Sequence, residues 1–301
     1  MTATTFPPAP SAPNPVQAFL RLVLIEHSVF ALPFAYVAAL TAMAPGSIHW
    51  GDLVLVTLAM VAARTFAMAA NRIVDRTLDA ANPRTAGREL VTGAVSLRTA
   101  YVGSAVSLGF FLLCAAALSP LCLALSPIAI VLLVLYPYGK RFTWLCHAIL
   151  GLAQAVAPVG AWIAVTGHWS WAAAALGLGV GLWIGGFDLI YALQDMAHDR
   201  ANGVHSLPAR FGPHVALWTS ALAHVATFAL FVAFGIAENL GVIWYVGLGV
   251  VALLFAYEHT IVTPTDWSRL NRAFFTLNGF IGIALLGCSV VDLFVHGNLT
   301  G

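Results

Sequence analysis

The chain has 301 residues, of which 60% are hydrophobic and only 8% charged. Soluble domains carry roughly 25% charged side chains, and 13 basic plus 12 acidic residues cannot cover the surface of a chain this long. This composition excludes a soluble enzyme, a disordered chain and a nucleic-acid binder, and it predicts an all-α, polytopic membrane protein.

Residues 1–20 hold Pro7, Pro8, Pro10, Pro13 and Pro15 and read as a disordered tail without the basic start of a secretory signal. Residues 21–301 read as a single helical domain. Apolar runs of about the 20 residues that a bilayer core requires follow at 22–44, 52–70, 99–117, 121–138, 147–166, 171–191, 213–236, 240–258 and 273–296. They predict nine transmembrane helices in a bundle. Arg21 precedes the first run, and Arg72, Arg76, Arg84, Arg88 and Arg98 follow the second. Lys140 and Arg141 follow the fourth, Arg200 and Arg210 the sixth, and Arg269 and Arg272 the eighth. The connections on the other side carry no basic residue. Positive-inside bias then predicts a cytoplasmic N-terminus, an outer C-terminus and cytoplasmic long loops near 71–98 and 192–212. Cys114, Cys122, Cys146 and Cys288 have no metal-type spacing and read as small packing residues.

The polar residues of the two long loops are patterned. Asn71, Asp75 and Asp79 are spaced i, i+4, i+8 and line one face of a helix continuing out of the second run. Arg64 lies on the same face, seven residues deeper. Asp188, Tyr191, Asp195 and Asp199, with Arg200 adjoining, are spaced three, four and four. That spacing predicts a second single-faced helix leaving the sixth run. Scattered interfacial charges ordinarily just solvate helix ends, but two aligned stripes in equivalent places have no such reason to exist.

Like charges converging in a low-dielectric mouth repel one another unless cations neutralise them. Carboxylate and amide oxygens are hard ligands, which favours Mg²⁺. At ~1.5 Å per residue, Asn71 can share an ion with Asp75, and Asp195 with Asp199. Asp79 and Asp188 fit better as groups that act through water or orient basic neighbours. Two Mg²⁺ facing each other form a clamp for a diphosphate. Arg72, Arg76, Lys140, Arg141 and Arg200 are candidate partners for its oxygens; simple anchoring at the interface is the plainer alternative for any of them.

These stretches resemble the intramembrane UbiA-type prenyltransferases, most of all the 4-hydroxybenzoate polyprenyltransferases. The N/D-x-x-x-D-x-x-x-D run of that family is matched by Asn71, Asp75 and Asp79, and its D-x-x-Y-x-x-x-D-x-x-x-D-R run by Asp188, Tyr191, Asp195, Asp199 and Arg200. Asn82-Pro83-Arg84-Thr85-Ala86-Gly87-Arg88 and Tyr136-Pro137 with Lys140-Arg141 are similar to its quinone-precursor branch. His198 stands where many relatives carry more acid. The resemblance implies transfer of a prenyl group from a polyprenyl diphosphate to a hydroxylated aromatic acid such as 4-hydroxybenzoate, for ubiquinone or menaquinone. The implied setting is the cell inner membrane, in contact with lipid and facing the cytoplasm. It implies Mg²⁺, two ions on Asn71, Asp75, Asp195 and Asp199, with Asp75, Asp195 and Lys140 in catalysis. Arg64, Arg72, Arg76, Asp79, Lys140, Arg141, Asp188, Tyr191 and Arg200 are then substrate-binding. A naphthoate, homogentisate, haem or chlorophyllide acceptor stays open, and a transporter of an anionic solute is a remote rival.

The glycines at 177, 179, 181, 185 and 186 sit inside the sixth run and predict close helix packing, not a nucleotide loop. That seam, seven residues from Asp188 at Gly181, can set the angle of the acidic face. Glu26, His27, Glu258 and His259 are ionisable groups near one interface, whereas Asn271 and Asn278 read as helix–helix hydrogen-bonding residues. Asp52, Glu238 and Asp292 are expected to be solvated on the far side.

Overall fold

A computed structural model describes residues 19, 22, 31–270, 276–296 and 299–300. The helices run in chain order as α1 (Leu32–Met43), α2 (Trp50–Ala81), the short α3 (Glu89–Thr92), α4 (Leu97–Leu118), α5 (Pro120–Gly139), α6 (Cys146–Thr166) and α7 (Trp171–Tyr191). A 3₁₀ turn (Ala192–Asp195) leads into α8 (Met196–Ala201), α9 (Leu207–Phe211), α10 (Pro213–Ala237), α11 (Val242–Ile261) and α12 (Asn278–Val295). Two-residue strands β1 (Gly46–Ser47) and β2 (Leu299–Thr300) pair in parallel.

Among the described residues, 8 helices are long and apolar enough to cross a membrane: α2, α4, α5, α6, α7 with its continuation to Ala201, α10, α11 and α12. The run at 22–44 is represented by the 12 residues of α1, with its earlier part outside the described residues. The disordered-tail reading of residues 1–20 also lies outside them, Phe19 apart, as do Arg21, Glu26, His27, Asn271 and Arg272. The chain is a multi-pass membrane protein of the all-α class, and the two-residue strands are the only β-structure among the described residues. Its large apolar side chains face both ways: Trp183, Trp244, Phe34 and Phe231 are fully buried, while Trp218, Leu222 and Leu253 lie exposed along helix faces that lipid would cover.

Local chemistry sets the boundaries. Ser96, Ser119, Ser170 and Ser206 each cap a helix by accepting from a backbone amide of the first turn. Gly167, at φ 75°, ends α6 in the left-handed conformation that favours glycine. The 32 residues of α2 extend about 48 Å, well beyond a ~30 Å hydrocarbon core, so the helix is long enough for its last turns to pass the membrane boundary. Those turns carry Asn71, Asp75 and Asp79.

The glycine seam packs as expected. A Cβ on Gly181 would stand 2.6 Å from the carbonyl oxygen of Gly151, one on Gly151 2.4 Å from that of Gly181, and one on Gly177 2.6 Å from that of Ala155. Backbones of α6 and α7 therefore touch directly. Gly179 and Gly186 make room in the same way for Phe231 and His224 of α10.

Asp292 corrects one expectation. Far from being solvated, it is 1% exposed and accepts from the amides of Gly241, Ile243 and Trp244 at 2.5, 3.0 and 3.4 Å. The N-terminus of α11 has no cap of its own, and a carboxylate from α12 satisfies its orphan donors. Asn278, in contrast, makes the expected interhelical bonds: it accepts from Trp183 Nε1 at 2.7 Å and donates to Glu258 at 3.0 Å. His224 joins this buried group, 3.1 Å from His259 and stacked on Phe255.

Candidate functional site

Both acidic series reach the same end of the bundle, and basic residues from two connections converge on them. Asp75, 1% exposed, is bonded by Lys140 Nζ and lies 3.3 Å from Arg141 Nη1. Asn71 donates to the same carboxylate at 3.2 Å, one helical turn away as its spacing requires. Asp79 pairs with Arg88 at 2.5 Å, so it does orient a basic neighbour. On the second series, Asp195 receives Arg84 through Nε at 3.0 Å and Nη2 at 2.6 Å, a two-pronged guanidinium–carboxylate fork. Asn82 adds a third bond at 3.0 Å. Asp199 accepts from Ser206 Oγ at 2.7 Å, and Asp188 pairs with His147 Nδ1 at 2.7 Å.

Three links show that these are one site. The segment 82–88, which belongs to the first series, reaches across to Asp195 of the second. Lys140 bonds Asp75 and is near enough to Asp199 to act on its charge. Tyr136 lies within electrostatic reach of both Asp75 and Asp188. The Lys140 carbonyl also accepts from the His205 amide at 2.7 Å, which ties the end of α5 to the loop before α9. Arg84 stacks over the Tyr191 ring at 5.7 Å. Burial alone would lower its guanidinium pKa, but the bonds and charge of Asp195 outweigh that and hold it above the usual arginine value.

The site differs from the sequence pattern in two ways. The second series is not one helical face: α7 stops at Tyr191 and a 3₁₀ turn occupies Ala192–Asp195. Each 3₁₀ residue advances about 120° where an α residue advances about 100°, so four of them turn Asp195 and Asp199 about 80° from where an unbroken α-helix would put them. Asp188 consequently meets α6, whereas Asp195 meets the 82–88 segment. The second difference concerns arginines. Arg72 Nε donates to the Leu22 carbonyl at 3.3 Å and Arg76 Nε to that of Leu90 at 3.2 Å. Both flank the acids in sequence but project about 100° around α2 from them, where they fasten neighbouring backbone. Arg200 similarly donates to the Ala209 carbonyl at 2.7 Å.

Beneath the acids, an apolar cavity opens between α2, α4, α5 and α6, lined by residues such as Met60, Phe111, Leu133 and Ala157. Arg64 and Gln154 are polar residues in that lining. Arg64 Nε is buried without a hydrogen-bond partner among the described residues, and Tyr136 lies within electrostatic reach of Arg64 as well as of Asp75 and Asp188. The arrangement is a cation-lined acidic mouth above an oily chamber. His147, Asn82, Arg84, Arg88 and Ser206 are site residues whose roles the spacing does not announce, although Asn82, Arg84 and Arg88 fall in the quoted Asn82–Arg88 stretch.

No group of three or more His, Cys, Asp or Glu side chains among the described residues is arranged to hold a metal. Asn71 with Asp75, and Asp195 with Asp199, instead offer pairs of hard oxygen donors. Lys140 and Arg84 already sit where a cation is favoured. Mg²⁺ is ordinarily held by one or two carboxylates, waters and substrate phosphates, so these pairs fit it.

Comparison with known proteins agrees with this geometry. The family described as "UbiA prenyltransferase family" matches residues 31–280. A protein of Nitrosospira multiformis named 4-hydroxybenzoate octaprenyltransferase is 33% identical over 245 residues, which is 81% of this chain and 83% of that one. The apo structure of a UbiA homolog from Aeropyrum pernix K1 superposes with a TM-score of 0.79 at 36% identity, covering 89% of this chain and 98% of the other. A UbiA homolog from Archaeoglobus fulgidus, solved bound to GPP and Mg²⁺, shares the fold with a TM-score of 0.72 at 20% identity over 92% and 99% of the two chains. Two acidic series on the ends of membrane helices, basic side chains between them and an apolar chamber below are thus the features of a membrane-embedded aromatic prenyltransferase, and the chain belongs to the UbiA prenyltransferase family.

Proposed function

We propose that this enzyme transfers a prenyl group from a polyprenyl diphosphate to the ring of a hydroxylated aromatic acid, with 4-hydroxybenzoate as the acceptor, in the formation of a quinone precursor. The observation that carries the reading is the junction of the two environments: a mouth of carboxylates and cations for a diphosphate, directly above an apolar chamber for an isoprenoid. The name of the Nitrosospira relative supports the acceptor. The one-sided distribution of Lys and Arg supports a mouth that faces the cytoplasm, in the inner membrane of the cell.

The residues divide the work as follows. Asn71 with Asp75 and Asp195 with Asp199 would hold two Mg²⁺, which when bound supply neutralisation of the diphosphate oxygens. Lys140, Arg141 and Arg84 stand on the same carboxylates and turn to the diphosphate as it enters, so the departing group meets charge already in place. Asp79 keeps Arg88 in register. The prenyl chain lies in the chamber of α2, α4, α5 and α6, in contact with lipid. Arg64, whose Nε has no hydrogen-bond partner among the described residues, stands in an apolar wall and suits the acceptor's carboxylate. In the reaction the allylic C–O bond breaks, the ring carbon attacks the allylic carbon, and the ring proton leaves to restore aromaticity.

The test is an assay of the membrane-embedded protein with geranyl diphosphate, 4-hydroxybenzoate and Mg²⁺, read by mass spectrometry with an EDTA control. A prenylated acid that disappears with EDTA is the expected result. A product with a hydroxynaphthoate and none with 4-hydroxybenzoate would replace the acceptor, and no product with either would remove the reading.

A further inference from the structure

His147 lies on α6 outside both acidic series, yet it is the partner of one of their members. Its Nδ1 is 2.7 Å from Asp188 Oδ2, the imidazole is 9% exposed and Nε2 has no partner. The backbone that carries the ring is packed closely: a Cβ on Gly185 would be 3.1 Å from the His147 carbonyl oxygen, so α7 presses onto this turn of α6. The same glycine seam thus brings Asp188 and His147 together. Asp188 itself is 19% exposed, and no side chain besides His147 has a hydrogen bond to it among the described residues. One oxygen is therefore clamped and the other is open.

The open oxygen has a definite neighbourhood. Tyr136 lies within electrostatic reach of Asp188, Asp75 and Arg64, and Arg64 lines the apolar chamber. Asp188 is fastened to His147, about two turns of α6 from Ala153 and Gln154 in the chamber wall, and so stands near the boundary between the charged mouth and the oily chamber. The other carboxylates are held differently: Asp75, Asp79 and Asp195 are each covered by a lysine or arginine, and Asp199 is buried on the Ser206 hydroxyl. A diphosphate in the mouth and a hydrocarbon tail in the chamber put the scissile allylic C–O bond at that boundary. When it breaks, the electron pair leaves with the diphosphate and the allylic carbons become positive. A fixed carboxylate held by an imidazole, with no lysine or arginine on it, keeps an oxygen free to stabilise that charge as it develops.

We propose that His147 is a positioning residue: it locks Asp188 in one orientation, so that the free carboxylate oxygen faces the allylic carbon as it ionises. The inference rests on the prenyl-transfer reading but not on the acceptor. An unclamped Asp188 is free to swing toward Lys140 and Arg141 in the mouth, where it would be neutralised and would compete for the cations that hold the diphosphate.

The experiment compares wild type with His147→Ala, His147→Phe, His147→Gln, Asp188→Asn and the double variant His147→Phe/Asp188→Asn. Its readout is Mg²⁺-dependent conversion of geranyl diphosphate to geraniol without acceptor, where water traps the cation. Binding of inorganic pyrophosphate with Mg²⁺ is measured by calorimetry alongside. Asp188→Asn and His147→Phe should each lower kcat 10-fold or more with donor KM and pyrophosphate affinity within 3-fold of wild type. His147→Gln, whose amide can still donate to Asp188, should recover kcat to within 3-fold. The double variant should be no slower than Asp188→Asn alone, because coupled residues are not additive. Independent losses in the double variant, full activity in His147→Phe, or a change confined to KM and pyrophosphate affinity would each overturn the proposal. If His147→Ala fails to fold, the Phe and Gln variants, which keep the volume, still decide the matter. Wild type that binds pyrophosphate with Mg²⁺ and makes geraniol, but does not prenylate 4-hydroxybenzoate, would refute the acceptor and leave the test of His147 intact.

Discussion

The two acidic series use the same residue type and are built differently. The first rides on an unbroken 32-residue helix, and its carboxylates are nearly sealed, with Asp75 at 1% side-chain exposure. The second spans a helix end, a 3₁₀ turn and a new helix, and Asp188 and Asp195 stay 19% and 18% exposed. Their partners differ accordingly. Asp75 is bonded by the adjacent cations Lys140 and Arg141, whereas the second series is held piecemeal by His147, Arg84 with Asn82, and Ser206. A continuous helix presents its acids in one line to one set of cations. A helix broken by a 3₁₀ turn distributes them among several neighbours, so each acid can take a separate task.

Substitution at Asp75 should break this contrast most severely. Asp75→Ala is expected to lower turnover by about 10³-fold or more. It should also lower the melting temperature in detergent, because Lys140 and Arg141 lose their shared carboxylate. Asp195→Ala should remove turnover to a similar degree and leave the melting temperature near wild type, since Arg84 is more exposed and can turn to water. Equal melting shifts in the two variants would erase the distinction between sealed and open series.

Lys140→Ala should raise the donor KM about 10-fold, read from the response of initial rate to donor concentration. An unchanged KM would reduce Lys140 to an interfacial anchor. Arg84→Gln tests the open series more gently: with its cation gone, Asp195 should reach half-maximal activity at a Mg²⁺ concentration about 2- to 5-fold lower, because a shift of well under 1.4 kcal/mol is at stake. A rise in the Mg²⁺ requirement would mean that Arg84 holds the diphosphate more than it competes with the metal. The smallest effect on chemistry belongs to Asp292→Ala. It should lower stability by about 1–3 kcal/mol through the unmet amides of α11 and leave kcat and the Mg²⁺ requirement unchanged.

Much of this architecture is legible in the residues. Apolar run length locates the spanning helices, and the i, i+4, i+8 rhythm of Asn71, Asp75 and Asp79 survives because α2 stays regular through them. The same rhythm misleads at Asp195, where spacing alone does not distinguish an α turn from a 3₁₀ turn. Arg72 and Arg76 mislead for a simpler reason: a residue next to an acid on a helix points about 100° away from it. His147 and Asp292 are invisible to local pattern, because each acquires its role from a partner more than 40 positions away. Asp292 in particular reads as a solvated terminal charge until α11 is placed against it.

The seam between α6 and α7 has a consequence for how this sequence tolerates change. At Gly151, Gly177 and Gly181 even a methyl group would collide with a carbonyl oxygen of the facing helix, at 2.4, 2.6 and 2.6 Å. In a saturation scan scored by growth, these three positions should rank with the acids among the most intolerant, and alanine should be as poorly accepted there as leucine. Positions without any functional group would then be as constrained as the chemistry they hold in place, and the map of intolerant sites would trace a line along the helix axis instead of a cluster at the mouth.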